Sequence, residues 1–204
     1  MPPLTLPDPP LRTDRIELRP PTEADVDRIV EICRDPEIPR WTRVPANYSA
    51  DHAREFIAIA ERGRASGWDL PFLIHRRSDD AIVGACGVHA ADARDLVGEI
   101  GYWAAPDARG QGYVTEAVVL LRDWAWDVLP YSRLEINTAV DNHASRRVAT
   151  KVGFTEEAVL RSALLLGGQR HDKIVHAQLR DERRAAPPAG PFLEGLARRS
   201  APPT

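Results

Sequence analysis

Hydrophobic and polar positions along the first third of the chain predict one strand followed by two helices. Residues 15–20 (RIELRP) alternate polar and apolar side chains and end at a proline, a pattern typical of a half-buried β-strand. A helical pattern follows, with Thr22 as its N-cap and Asp25 in the capping-box position. A second helical pattern begins after Ser49 and ends at residues 63–67, which start and finish with glycine.

The middle and end of the chain predict an antiparallel meander and then alternating helices and strands. Strand patterns occur at 69–76, 81–90 and 97–104, and the segments between them are turn-like. The later elements are a helix over 115–129, a strand over 133–140, a helix over 142–154 and a hairpin of strands over 154–166 and 173–181. The order β-α-α-β-β-β-α-β-α-β-β predicts an α/β (α+β) fold. We expect a single mixed, mostly antiparallel sheet of about seven strands with helices on both faces.

Composition narrows the classes of function. A net charge of -3 over 204 residues gives no electrostatic reason to expect nucleic acid or anionic lipid as a partner. No apolar run reaches transmembrane length, and the N-terminal residues lack the layout of a signal peptide. Cys33 and Cys86 lie in apolar stretches, which favours buried, reduced thiols. We therefore expect a cytoplasmic protein with no membrane partner.

The two ends of the chain are rich in proline. We predict one domain over 11–182, with terminal extensions over 1–10 and 183–204 that are largely irregular. Within the second extension, the spacing of Phe192, Leu193 and Leu196 is compatible with a short helix.

The clearest chemical signal is the segment APDARGQGYVTEA, residues 105–117, which joins a predicted strand to a predicted helix. A pyrophosphate site needs several backbone amides that converge at the start of a helix, with no side chains in the way. Gly110 and Gly112 leave the backbone bare, and the amides from Gln111 to Thr115 are free at the helix start. The segment matches neither a Walker loop nor GxGxxG, so nucleotide triphosphates and dinucleotides are poor candidates. A glycine-rich turn without a ligand is the alternative.

This segment resembles the cofactor loop of the GNAT superfamily of acetyl-CoA-dependent N-acetyltransferases, Arg/Gln-x-x-Gly-x-Gly/Ala. Arg109, Gly112 and Val114 occupy its three defined places, and Val114 departs from the small residue usual there. The stretches LRTDRIELRPPTEAD, GEIGYWAAPDARGQGYVTEA and NHASRRVATKVGF extend the resemblance over roughly 11–182. They are similar to the Rim-type branch, which includes ribosomal-protein N-terminal acetyltransferases.

The resemblance implies the GNAT fold, acetyl-CoA as co-substrate and no metal. It also implies direct transfer of the acetyl group to a primary amine, either a protein N-terminal α-amine or an amine of a small molecule. The strand before the loop would pair through its backbone with the pantetheine arm, and the helix that follows 133–140 would contact the same arm. The residues assigned to acetyl-CoA in this way are Ile100, Tyr102, Trp103, Arg109, Gly110, Gln111, Gly112, Tyr113, Val114, Thr115, Asn142 and Ser145.

The same resemblance suggests where the catalytic groups lie. Glu99 stands where related enzymes often place a glutamate that deprotonates the amine, and His89 is the alternative base. Many GNAT enzymes protonate the leaving thiolate with a helix tyrosine, but Ala149 occupies that position here. In the Rim-type branch a serine at the place of Ser145 is thought to interact with the thiol instead. Trp41, with His89 and Glu99, is assigned to the acceptor side of the cleft.

Two other functions stay open at this level. One is an acetyltransferase of the same fold that modifies an antibiotic or a metabolite amine. The other is a catalytically silent acyl-CoA-binding module. The sequence also leaves a homodimer open as an alternative to a monomer.

Overall fold

The computed structural model of the protein describes residues 10–184. The strands are β1 (Ile16–Arg19), β2 (Asp69–Arg76), β3 (Ile82–Asp92), β4 (Val97–Ala104), β5 (Arg133–Ala139), β6 (Thr155–Leu166) and β7 (Gln169–Leu179). The α-helices are α1 (Val26–Cys33), α2 (Glu37–Trp41), α3 (Ala50–Ser66), α4 (Tyr113–Val128) and α5 (His143–Lys151). Short 3-10 turns lie at Glu23–Asp25, Pro106–Ala108 and Arg180–Arg184.

The seven strands form one sheet in the order β1-β2-β3-β4-β5-β7-β6. All neighbouring pairs are antiparallel except β4 and β5, which run parallel because α4 carries the chain back across the sheet between them. The predicted fold class and the mixed sheet are confirmed. Among the helices of residues 10–184, none is long and apolar enough to cross a membrane.

One helix was not predicted. The helical pattern that starts at Thr22 ends at Cys33, and the short helix α2 then begins after Pro36. Pro36 has φ -64° and ψ -23°, which are helical values, and proline is tolerated at the start of a helix because no hydrogen bond from its nitrogen is needed there. Asp35-Pro36 therefore ends one helix and starts another. Most of the two proline-rich extensions, including Phe192, Leu193 and Leu196, lies outside the described residues.

The parallel pair β4–β5 is short, and this opens the sheet. Their register joins Val97 with Arg133, Gly98 with Leu134 and Glu99 with Glu135, and no later residues of the two strands are paired. A methyl group on Gly98 would lie 2.8 Å from atoms of Leu134 and Tyr131, so the close approach at this end of β4 requires glycine. Beyond Glu99 the strands separate and leave a cleft.

The buried first turn of α4 attaches the helix to the start of the chain. Glu116 is 3% exposed, and its carboxylate accepts a hydrogen bond from the Thr13 hydroxyl and lies 3.2 Å from the Arg15 guanidinium. Arg15 also donates to the main-chain carbonyl of Gln111 at 2.9 Å. The network therefore holds the loop and the start of α4 in a fixed relation to β1.

Candidate active site

A cavity of about 570 Å³ occupies the cleft between β4 and β5. Its walls come from β4, the loop that follows it, the start of α4, β5, α5, α2 and the end of β6. Every residue that the sequence assigned to acetyl-CoA or to the acceptor lines this cavity, with the exception of Gln111. Gln111 instead turns its side chain back on the loop, where its amide donates to the carbonyl of Asp107 at 2.8 Å.

The loop between β4 and α4 has the backbone shape of an anion cradle. Gly110 and Gly112 have φ values of +76° and +85°, in the left-handed region that side chains other than glycine rarely adopt. Gly112 is the N-cap of α4, and its carbonyl accepts the first helical hydrogen bond, from the amide of Glu116 at 3.0 Å. The amides of residues 113–115 precede that bond and have no partner within the helix. They lie at the positive end of the helix dipole, where a phosphate is stabilised.

The structure shows the surroundings of two motif residues of the loop, Val114 and Arg109. Val114 is half-buried and packs against the hydrophobic core, so the larger side chain leaves its amide available as a donor. Arg109 was assigned to acetyl-CoA, and it lines the cavity. Its guanidinium lies 2.6 Å from the carboxylate of Asp35, just after α1, and this ion pair ties the loop to the first helix.

Glu99 and His89 face each other across the β3–β4 ladder as register partners. Oε2 of Glu99 lies 3.7 Å from Nε2 of His89, and the Glu99 side chain is 20% exposed. Burial raises the pKa of Glu99. The nearby His89, with smaller effects of Asn137 and Arg43, outweighs the effect of burial, so the pKa of Glu99 lies below its ordinary value. Glu99 is therefore a carboxylate at neutral pH, next to the cavity, and can accept a proton.

Ser145 lies in the first turn of α5, on the opposite side of the gap from β4. Its amide donates to Oδ1 of Asn142 at 3.0 Å, so Asn142 caps the helix as its residue type predicts. The Ser145 hydroxyl lies 2.9 Å from the phenol oxygen of Tyr102, and the same phenol lies 3.1 Å from the Ser145 carbonyl. Sequence reasoning assigned only the backbone of Tyr102 to the site and missed its hydroxyl. Ala149 is 0% exposed, so the helix position that often carries tyrosine is part of the core here.

Comparison with known proteins identifies the family. Residues 15–155 match the family model described as the acetyltransferase (GNAT) domain. The chain belongs to this family. This protein is a GNAT acetyltransferase.

Relatives place the acetyltransferase in the Rim-type branch. YdaF of Bacillus subtilis (strain 168), named as a proposed ribosomal N-acetyltransferase, is 30% identical over 78% of this chain and 87% of its own. The ribosomal-protein-serine acetyltransferase of Escherichia coli (strain K12) is 28% identical over 56% of this chain and 63% of its own. Among solved structures, the microcin C7 self-immunity acetyltransferase MccE, in complex with acetyl-CoA and AMP, superposes with a TM-score of 0.74. It is 25% identical, and the match covers 82% of this chain and 93% of that one.

Two basic side chains of α5 extend the positive character of the cavity. Arg147 and Lys151 are exposed, stand one helical turn apart and both line the cavity. Within residues 10–184, neither side chain forms an ion pair or a hydrogen bond. The sequence reasoning did not assign them, although their spacing of four residues on a predicted helix was a usable signal.

The side of the cavity that was predicted to hold the acceptor is formed by segments far apart in sequence. Trp41 of α2 donates from Nε1 to Glu37 at 3.0 Å and packs against Leu164 and Leu166 of β6. Arg43 follows α2, is exposed and also lines the cavity. Trp41 was predicted here, but Arg43 and the two leucines were not, because only the fold brings the β6–β7 hairpin beside α2.

Proposed function

We propose that this acetyltransferase moves the acetyl group of acetyl-CoA directly to a primary amine, in a complex that contains both substrates. The acceptor is a protein N-terminal α-amine or the amine of a small molecule. The observation that carries the proposal is that one cavity joins an anion cradle at the start of α4 to an ionised carboxylate, Glu99, on β4.

The proposed fit of coenzyme A to the cavity depends on hydrogen-bond donors and positive charges in its walls. The free amides of residues 113–115 suit a pyrophosphate, and a side chain at Gly110 would project into open space over the same loop. Arg147 and Lys151 offer unpaired positive charge to the remaining phosphate. Because β4 has no β5 partner after Glu99, its backbone from Ile100 to Trp103 has an edge free to pair with the pantetheine arm.

Residues that line the cavity have distinct proposed roles in acyl transfer. Glu99 is ionised at neutral pH and is the proposed acceptor of the proton that the incoming ammonium group loses. The amine nitrogen then attacks the carbonyl carbon of the thioester, whose oxygen can accept hydrogen bonds from the backbone of Tyr102 and Trp103. The carbon–sulfur bond breaks, its electron pair stays on sulfur, and the Ser145 hydroxyl is the proposed partner of that thiolate.

Direct transfer is supported by the position of the two thiols. Cys33 and Cys86 are buried, and neither lines the cavity. Burial raises the pKa of Cys33 to about 12 and the pKa of Cys86 further. Neither thiol has the ionised, accessible form that a covalent acetyl-cysteine step needs. Buried, reduced thiols also support our proposal of a cytoplasmic protein.

A small-molecule acceptor is the second candidate. The Rim-type relatives favour a protein or peptide N-terminus, whereas the likeness to MccE, a self-immunity acetyltransferase, favours a small molecule. The test is release of free thiol from acetyl-CoA in the presence of peptides with different N-terminal residues, aminoglycosides and small amines. Turnover on peptides alone supports the first candidate. Tight acetyl-CoA binding without turnover on any amine would contradict enzymatic function and favour a silent acyl-CoA-binding module.

The substitution Gly112→Asp tests the anion cradle independently of the rest of the proposal. The change places a carboxylate among the amides assigned to the pyrophosphate and forces a side chain into a left-handed backbone. We expect loss of measurable coenzyme A binding by calorimetry. The matched control is Gly168→Asp, since Gly168 has φ +79° in the β6–β7 turn outside the cavity. Retained affinity in Gly112→Asp would show that the cradle assignment is wrong.

A further inference from the structure

The hydroxyl groups of Tyr102 and Ser145 meet across the gap between β4 and α5. The phenol oxygen is 2.9 Å from Ser145 Oγ, and both residues line the cavity. The two residues are 43 positions apart, and the contact joins the strand assigned to the pantetheine arm with the helix turn assigned to the thiol. No proton donor is available from Ala149, whose methyl group is buried.

The partners available allow two arrangements of the hydrogen bonds between Tyr102 and Ser145. A phenol has one proton, and two acceptors lie near it, the Ser145 carbonyl at 3.1 Å and the Ser145 hydroxyl oxygen at 2.9 Å. The carbonyl belongs to α5, where the amide four residues later is its regular partner. The hydroxyl oxygen has no other donor among the described residues. Donation from the phenol to Oγ is the arrangement that leaves the serine proton free to point into the cavity, and it is the one that the inference uses.

We propose that Tyr102 is a positioning residue that holds Ser145 as a hydrogen-bond donor to the sulfur of coenzyme A. This inference rests on the proposed use of acetyl-CoA. When the carbon–sulfur bond breaks, the serine O–H donates a hydrogen bond to the negatively charged sulfur. The phenol, by donating to the serine oxygen, makes that O–H a stronger donor, because hydrogen bonds in a chain polarise one another.

Both hydroxyls keep their protons in this scheme. Burial raises the pKa of Tyr102 well above its ordinary value, against a smaller opposing effect of the Ser145 hydrogen bond. An unperturbed thiol has a pKa of about 8.5, so full proton transfer from the phenol to a thiolate is unfavourable. The first proton lost by the amine goes to Glu99, and the second, which leaves the nitrogen as the amide forms, goes to water. The electron pair of the broken bond goes to sulfur, and the two hydroxyls stabilise the thiolate until it leaves or takes a proton from water.

The test measures the thiol of bound coenzyme A rather than turnover. Coenzyme A is bound to the protein, and the ultraviolet absorbance of the thiolate is followed as the pH is raised. Tyr102→Phe keeps the ring and removes the hydroxyl. We expect it to raise the pKa of the bound thiol by about one unit, a tenfold fall in the ionisation constant. Ser145→Ala should give a shift of about one unit or more, and the double variant should shift no further than Ser145→Ala alone.

The control is Tyr131→Phe. Tyr131 is 1% exposed, lies outside the cavity, and its hydroxyl has no hydrogen-bond partner within residues 10–184. This change removes the same atom from a buried ring, and we expect it to leave the bound thiol unchanged. In steady-state assays, Tyr102→Phe should lower kcat and leave the KM for acetyl-CoA nearly unchanged, because the contact strengthens only as charge develops on sulfur.

Three results would overturn the inference. An unchanged thiol pKa in Tyr102→Phe, with coenzyme A still bound, removes Tyr102 from the scheme. An effect of Tyr102→Phe that persists in full when Ser145 is absent shows that the phenol does not act through the serine. Equal shifts in Tyr102→Phe and Tyr131→Phe show that the effect is not specific to the contact. Failure of the unmodified protein to bind coenzyme A would instead contradict the proposed function itself.

Discussion

Replacement of Glu99 by glutamine tests the assignment of the base most directly, because it removes the charge and keeps the shape. The Glu99 carboxylate lies 3.7 Å from His89 in a side chain that is 20% exposed. Its pKa is lowered in the folded protein, so the carboxylate is fully present above its ordinary pKa and is lost only as the pH falls below the lowered value. The activity of the unmodified enzyme near neutral pH should therefore not depend on the titration of Glu99.

The expected size of the effect follows from general base catalysis and from the amine. A positioned base typically contributes about 10² to 10⁴ in rate, so we expect kcat at neutral pH to fall at least on the order of 10²-fold. An α-amine with a pKa of about 8 is roughly one tenth free base at about pH 7 and nine tenths at about pH 9. The glutamine variant depends on that free fraction, and its rate should rise roughly tenfold over this interval. The unmodified enzyme should change much less, because Glu99 deprotonates the bound ammonium form.

The assay is thiol release at saturating acetyl-CoA and saturating peptide, across a pH series. Glu135→Gln is the matched control. Glu135 is the register partner of Glu99 on β5, its side chain is 18% exposed and paired with Arg133, and it does not line the cavity. An unchanged rate in Glu99→Gln would refute the assignment. A fall without recovery at high pH would also refute it, because loss of a base alone is reversible by deprotonating the amine.

Further substitutions test the phosphate site and the scaffold. Arg147→Ala and Lys151→Ala should each weaken coenzyme A binding by about fivefold, roughly 1 kcal/mol, and the loss should shrink at high salt. Calorimetry at two salt concentrations measures the affinities. A variant that binds coenzyme A as tightly as the unmodified protein would exclude the contact. Glu116→Gln should lower the free energy of unfolding by about 1–3 kcal/mol in urea titrations, since the buried carboxylate loses charged hydrogen bonds. Gly98→Ala should lower the free energy of unfolding by about 1–3 kcal/mol, because the added methyl group overpacks the site. Gly101→Ala should not show this loss, since no atom lies within 4 Å of the added methyl group. Equal losses of stability in the two variants would argue against the steric explanation.

Much of the fold could be predicted from local patterns. The strands and the long helices follow from hydrophobic periodicity, which is a property of a few neighbouring residues. The loop conformation at Gly110 and Gly112 could also be predicted locally, because a left-handed backbone at the start of a helix depends on which residues occupy those positions. The missed helix α2 shows the limit of this reasoning, since Pro36 is compatible both with the end of one helix and the start of the next.

The composition of the site depended on contacts that are distant in sequence. Tyr102 contacts Ser145 only because β4 and β5 separate after Glu99 and the first turn of α5 lies across the gap from β4. Arg15 reaches the loop only because β1 begins beside the first turn of α4, about 100 residues later along the chain. Periodicity cannot specify such meetings, because they are decided by strand order and by the point at which two strands stop pairing. The sequence by itself determined the elements and the loop that marks the family, and the tertiary structure decided which side chains face one another across the cleft.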